Sequence, residues 1–211
     1  YSMYGAVPLT EIKGKLLALR AAGKLDKVRM VLLTNCTFDG IVYDVERVMS
    51  ECLAIKKDLI FLWDEAWFAF ARFGPTYRQR TAMNAANNMR EHLRAPEAAK
   101  VHAKQAEMLE GAPDDVWIRT RLLPPPDARV RVYATHSTHK TLTALRQGSM
   151  IHVNDQDFKG EVEQSFHEAY MTHTSTSPNY QIIASLDVGR RQVELEGFEF
   201  VQRQIESAMS I

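Results

Sequence analysis

Two parts of this sequence combine residue types and spacing suited to covalent and acid–base chemistry. The first is Ala134-Thr135-His136-Ser137-Thr138-His139-Lys140, which follows Val130-Arg131-Val132-Tyr133 and leads into Thr141-Leu142-Thr143-Ala144-Leu145. The alternating run reads as a short strand, the polar residues as a loop, and the segment from Lys140 as the start of a helix. A loop between a strand and a helix lies at the carboxyl end of a sheet, where open α/β folds bind ligands. An amine placed there can add to a carbonyl group once it loses its proton, which partial burial and a nearby cation favour. On pattern alone, a solvated lysine at a helix start is the plain alternative.

The second is Asp64, directly after the most hydrophobic short run of the chain, Leu59-Ile60-Phe61-Leu62-Trp63. A carboxylate at the exit of a buried strand sits in low dielectric, where its pairing with a cation is strengthened. An aspartate capping a helix that starts near Ala66 is the alternative. Asp39, beside Gly40, either orients such a site or caps a helix beginning at Ile41. His136 reads as a packing or hydrogen-bonding group. His152 and His173 carry no metal-ligand spacing, and no metal is expected.

The elements that must position these residues alternate. Thr10 reads as an N-cap, Ile12, Leu16 and Leu19 recur at helical spacing, and Gly23 is the stop. Residues 28–33 form an apolar strand, and 41–55 a helix with Val45, Val48, Met49 and Cys52 on one stripe. Strand and helix in alternation predict an α/β fold: three layers, a mainly parallel sheet with helices on both faces. Ser149-Met150-Ile151-His152-Val153 is a further strand. Residues 158–171 and 179–189 are read as helices, and a last helix carries Phe198, Val201, Ile205 and Met209 on one apolar stripe. Met83 to Leu109 is rich in Ala, Asn, Glu, Arg and Lys, predicting surface helices with a break around Pro96. Residues 83–127 hold too few large apolar side chains for a core of their own. They form a helical and loop excursion within one domain spanning 1–211, read as a solvated insertion, a lid or an oligomer contact.

Composition sets outer limits. Twenty-six basic and 26 acidic residues cancel, which argues against a nucleic-acid or anionic-membrane surface. No run of about 18 apolar residues suggests a membrane span. Cys36 and Cys52 form no CxxC and are expected to stay reduced, in the cytoplasm. Residues 1–8 lack a signal-peptide layout. A chain cannot be initiated at tyrosine, so an upstream part is expected to be absent, and at Ile211 the chain ends uncapped.

Ser137-Thr138-His139-Lys140 resembles the cofactor-lysine motif of the pyridoxal-phosphate-dependent ornithine/lysine/arginine decarboxylases of aminotransferase-like fold. Thr34-Asn35-Cys36-Thr37-Phe38-Asp39-Gly40, Trp63-Asp64-Glu65-Ala66-Trp67, Gln147-Gly148-Ser149-Met150-Ile151-His152 and Thr172-His173-Thr174-Ser175-Thr176-Ser177-Pro178 are similar to that family in the same order. The resemblance spans nearly the whole chain, which looks like the middle of a longer protein: an incomplete large domain. It implies that Lys140 carries the cofactor, that Asp64 rather than Glu65 faces its ring nitrogen, and that Trp67 lies near its ring hydroxyl. It further implies Ser137 and His139 as phosphate and lysine neighbours, with His139 also a candidate for reprotonating the substrate carbon. Ser175 would reach a neighbouring subunit's cofactor phosphate. The implied activity is decarboxylation of lysine, ornithine or arginine to an amine and carbon dioxide, by a homodimer or higher homo-oligomer. An aminotransferase or another lyase on the same scaffold would need a similar Asp and Lys.

The match also has gaps. The family's stacking histidine and main phosphate loop lie upstream of the matched region, and most acidic residues that select the substrate's distal group lie downstream. The isolated chain is therefore expected to be catalytically incompetent or nearly so. It is also expected to associate, with copies of itself or with a companion chain, through apolar surface such as the Phe198 stripe.

Overall fold

The computed structural model describes residues 5–211. The readings made on residues 1–4 lie outside the described residues. Helix α1 (Leu9–Ala21) starts from Pro8, whose φ of −58° and ψ of 140° suit a residue just ahead of a helix. Thr10 therefore lies inside the first turn and is not the cap. Gly23 ends the helix as expected, at φ 65°, with its N–H on the Arg20 carbonyl at 3.0 Å.

Strands β1 (Met30–Thr34), β2 (Ile60–Asp64), β3 (Arg131–Ser137) and β4 (Ser149–Asp155) form one sheet in the order β1-β2-β3-β4. The first three are parallel and β4 is antiparallel to β3. Alternation puts Val31, Leu33, Phe61, Trp63, Val132 and Ala134 on one face. Against it pack α1, α2 (Val45–Ile55) and, beyond the single turn α3 (Pro75–Arg78), α4 (Ala82–Arg94), giving the core around Leu16, Met49, Cys52, Phe61, Trp63 and Ala85. The stripe Val45, Val48, Met49 and Cys52 is buried as the periodicity predicts. Burial pushes the Cys52 thiol up to about 12, so this cysteine packs as an apolar group. The other face meets α8 (Glu163–His173), where Phe166 stacks on Tyr133 with centroids 6.1 Å apart. Toward the β1 edge that face is open, with Leu32 60 % exposed.

Several sequence-based boundaries move. α2 starts at Val45, not Ile41, and its cap is Asp44, whose Oδ1 accepts from Arg47 N at 3.3 Å. Asp39 is thus no cap. The chain does break at Pro96, between α4 and α5 (Pro96–Leu109). α4, however, is a core helix and not a surface one: Ala82, Ala85, Ala86 and Met89 are buried, and the small alanines let it lie close to the sheet. β3 runs on through Thr135, His136 and Ser137, because β4 pairs with it as far as Ser137↔Ser149. The helix expected from Lys140 to Leu145 is a single turn, α7 (Thr138–Thr141). The two C-terminal helices read from the sequence are one, α9 (Tyr180–Met209, 30 residues). Its buried positions are Gly189, Val193, Gly197 and Val201, whereas Phe198 and Met209 are exposed.

One buried ion pair ties this framework together. Lys13 Nζ lies 2.5 Å from Glu51 Oε2, and both side chains are almost fully buried. The same ammonium donates to the carbonyls of Trp117 (3.0 Å) and Thr120 (2.8 Å), at the end of α6 (Asp114–Arg119). All three donors of the lysine are used. Glu51 Oε1 also accepts from Arg47 Nε at 2.8 Å. Lys13→Met should therefore cost about 3 kcal/mol in urea unfolding, because it strands a buried carboxylate and two carbonyls. Lys13→Met with Glu51→Leu should recover much of that loss.

Candidate active site

Parallel pairing puts Thr34, Asp64 and Thr135 in one register row at the carboxyl ends of β1, β2 and β3. The ladder continues one step further, with Asn35 N donating to the Asp64 carbonyl (2.9 Å) and Glu65 N to the Thr135 carbonyl (3.0 Å). Successive residues face opposite sides, so the carboxylates of Asp64 and Glu65 part company. Asp64 lies on the face that carries Leu62 and Thr135. Glu65 lies on the helix-covered face with His136.

Glu65 is fully buried and satisfied on both oxygens. Oε1 accepts from Asn35 Nδ2 at 2.9 Å and from Ala82 N, at the start of α4, at 2.8 Å. The latter fills one of the donors a helix start leaves unpaired. Oε2 lies 3.0 Å from His136 Nε2; a carboxylate only accepts, so His136 carries a proton there. Asn35, itself fully buried, also donates to the Arg80 carbonyl and accepts from Tyr43 N. The expected hydrogen-bonding role of His136 is therefore observed, and its partner is the carboxylate that sequence reasoning set aside. The His136 and His152 rings are 4.4 Å apart, and His152 Nε2 is buried with no hydrogen-bond partner among the described residues. Burial first, then the neighbouring His136, holds the His152 pKa below its ordinary 6.5.

The Lys140 segment is held from two sides. The Gly148 carbonyl accepts from Thr138 N (3.2 Å), Thr138 Oγ1 (3.0 Å) and His139 Nδ1 (3.0 Å). His139 is thereby fixed as the Nδ1–H form when neutral, which leaves Nε2 able to take up and give a proton. Lys140 is exposed, and its Nζ lies 5.1 Å from the centroid of the Trp67 ring, a cation–π contact. Phe38, from the turn after β1, meets Trp67 edge-on at 5.6 Å. Asp64 is half-buried, and its Oδ1 accepts from Ala66 N at 3.0 Å. That bond caps a turn and no helix begins at Ala66; the next helical residues are a 3-10 turn at Ala69–Phe73.

The structure thus gathers Asp64, Trp67, Ser137, His139 and Lys140 at one end of two adjacent strands. Ser137 is the last residue of β3. With α7 only four residues long, its dipole adds little to anion binding beside Ser137. Ser175 does not join the group: it is exposed between α8 and α9, and its Oγ accepts from Ser177 N at 3.1 Å. Sequence reasoning missed Glu65, Asn35 and the Thr138–Gly148 clasp. Polar residues following the apolar runs of three strands, Asn35, Glu65 and His136, were the available signal.

Comparison with known proteins adds an independent line. The family model described as Orn/Lys/Arg decarboxylase, major domain, matches residues 1–112 and 125–211. The chain is 32 % identical to lysine decarboxylase LdcA of Pseudomonas aeruginosa, over 98 % of this chain and 23 % of that protein. It is 33 % identical to the biodegradative arginine decarboxylase of Escherichia coli, over 84 % of this chain and 18 % of the relative. Among solved structures, lysine decarboxylase A from Pseudomonas aeruginosa superposes with a TM-score of 0.62 at 30 % identity, covering 98 % of this chain and 23 % of that one. The chain thus spans less than a quarter of the length of these relatives.

Glu65→Ala should destabilise the chain by about 3 kcal/mol, since three buried donors lose their acceptor. Glu65→Gln should cost less, because it keeps an acceptor for Asn35 and Ala82. Folding stability should also depend on pH. The unfolded chain protonates at His152 near the ordinary 6.5 while the folded chain resists, so stability is full above that pH and declines as pH falls below it. His152→Gln should flatten this decline in urea titrations at pH values spanning 5 to 7 (roughly the histidine range).

Proposed function

The chain belongs to the Orn/Lys/Arg decarboxylase family, and we propose that the protein carrying it removes the α-carboxylate of lysine, ornithine or arginine as carbon dioxide, with pyridoxal phosphate as cofactor. One observation carries this reading: an amine, Lys140, and a carboxylate, Asp64, stand at the same end of adjacent parallel strands. The donor set fits the cofactor. Lys140 offers a nucleophilic amine, Asp64 an acceptor for a protonated ring nitrogen, Ser137 a hydroxyl donor for a phosphate oxygen, and His139, when its ring is protonated, an Nε2–H donor for another. When bound, pyridoxal phosphate supplies an electron sink for the bond to the departing carboxylate.

The protein side chains do the rest. Lys140 would hold the cofactor covalently, through its unprotonated amine, and Trp67, its ring centroid 5.1 Å from that amine, would keep the side chain in place. Asp64 favours the charged form of a ring nitrogen, each pKa unit gained there being worth about 1.36 kcal/mol. Its position on the face away from Glu65 leaves it available for that pairing. With Nδ1–H given to Gly148, Nε2 of the protonated His139 ring could return a proton to the substrate carbon or donate to phosphate.

We propose that Ser175, exposed in the turn before α9, reaches a second copy of the protein within a homo-oligomer. Both cysteines are free thiols, which suits the cytoplasm. No helix among the described residues is long and apolar enough to cross a membrane.

In the full-length protein, borohydride reduction should fix the cofactor on Lys140, located by peptide mass mapping; a label on Lys56, Lys57 or Lys159 would refute the assignment. Asp64→Asn should lower turnover about 100-fold or more, read as carbon dioxide release from the three candidate substrates. A keto acid in place of an amine product would move the reaction to the aminotransferases.

A further inference from the structure

We propose that helix α9 is the seat that positions Lys140, with Gly189 as its positioning residue. This rests on the reading of Lys140 as the cofactor lysine. α7 is too short to hold itself, since one turn fixes several dihedral angles for little hydrogen bonding. Directly after it the backbone is extended at Leu142, so the segment from Thr141 to Gly148 needs support from elsewhere.

α9 supplies that support through backbone contact. A Cβ added at Gly189 would lie 1.7 Å from the Thr143 carbonyl oxygen, so the helix can reach this position only with glycine there. One turn earlier, Ser185 Oγ accepts from Leu145 N at 3.0 Å and donates to the Ile182 carbonyl at 2.7 Å. Leu186 lies against Gly148, where an added Cβ would come within 2.7 Å of Leu186 Cδ2. Gly148 is the residue whose carbonyl holds Thr138 and His139. Two turns along α9, Gly197 stands against Phe73, where a Cβ would approach the ring to 2.7 Å. Phe73 closes the 3-10 turn that follows Trp67. One helix therefore braces the segment after Lys140 and the segment after Asp64 and Trp67.

The energetics point the same way. An interior helical glycine is unfavourable relative to alanine. Both glycines stand where the helix meets another segment too closely for a side chain.

The test uses the full-length protein as parent, Gly189→Ala and Ser185→Ala. The first readout is acetylation of Lys140 by limiting acetic anhydride across pH, followed by peptide mass spectrometry, which needs no cofactor. Exposed Lys104 and Lys159 serve as internal references. The second is pyridoxal phosphate fixed on Lys140 by borohydride. Gly189→Ala should shift the Lys140 acetylation profile, leave Lys104 and Lys159 unchanged, and reduce fixation about tenfold, as a misplaced reactive group does. Ser185→Ala should act in the same direction and more weakly. Parent-like acetylation and fixation in a folded Gly189→Ala protein would overturn the proposal. If Gly189→Ala does not fold, parent-like values for Ser185→Ala overturn it instead. A parent that carries the cofactor on another lysine defeats the assignment of Lys140, whereas a changed Lys140 acetylation profile still supports the seat.

Discussion

The carboxylate of Glu65 is the point on which the strand ends depend. It joins β1 through Asn35, β3 through His136 and α4 through Ala82 N, and its own backbone extends β2 onto β3. A fully buried carboxylate is tolerated only with partners of this quality. Its partners in turn have little alternative to it. The result is a rigid polar knot immediately beneath the end of the sheet where Asp64 and the Lys140 turn emerge.

The pleat divides labour between two adjacent acids. Because side chains alternate, Asp64 and Glu65 cannot serve the same face. The helix-covered face takes Glu65 and uses it for cohesion. The opposite face presents Asp64, which spends one contact on the Ala66 amide and stays half-buried. A shift of one residue in the β2 register would exchange them, placing the cohesive acid in the open and the available acid among helices. The row Thr34–Asp64–Thr135 is therefore as much a part of the site as the side chains themselves.

What could be read in the sequence was local. The apolar runs of β1 and β2, the α2 stripe and the placement of Asp64 and Lys140 at strand exits follow from short-range pattern. The matched blocks pointed to the family that the comparisons show. What could not be read depends on partners distant in the chain. Glu65 meets Asn35 30 positions away and His136 71 positions away, and nothing beside Glu65 announces either. β3 reaches Ser137 only because an antiparallel partner extends it. The alanines of α4 looked too small for a core, yet small side chains are what a helix needs to lie close to a sheet. Gly189, the last residue of the helix that the pattern predicts over 179–189, marks a contact inside the longer α9.

A lysine proposed to carry a cofactor presents a physical difficulty that this fold resolves by distribution. The side chain must reach out, so it cannot be pinned by burial, yet its Cα must not wander. Lys140 is exposed and its own turn is too short to be stable alone. Its constraint comes from three directions: the Gly148 carbonyl beneath, the Trp67 ring at its tip and α9 behind the segment that follows. None of these contacts grips the amine covalently or by an ion pair, so none competes with its chemistry. Trp67 follows Asp64 by three residues, and Gly148 precedes the strand that carries His152. The lysine's surroundings are thus anchored to the same strand ends that Glu65 knots together, and error in one half of the site is transmitted to the other.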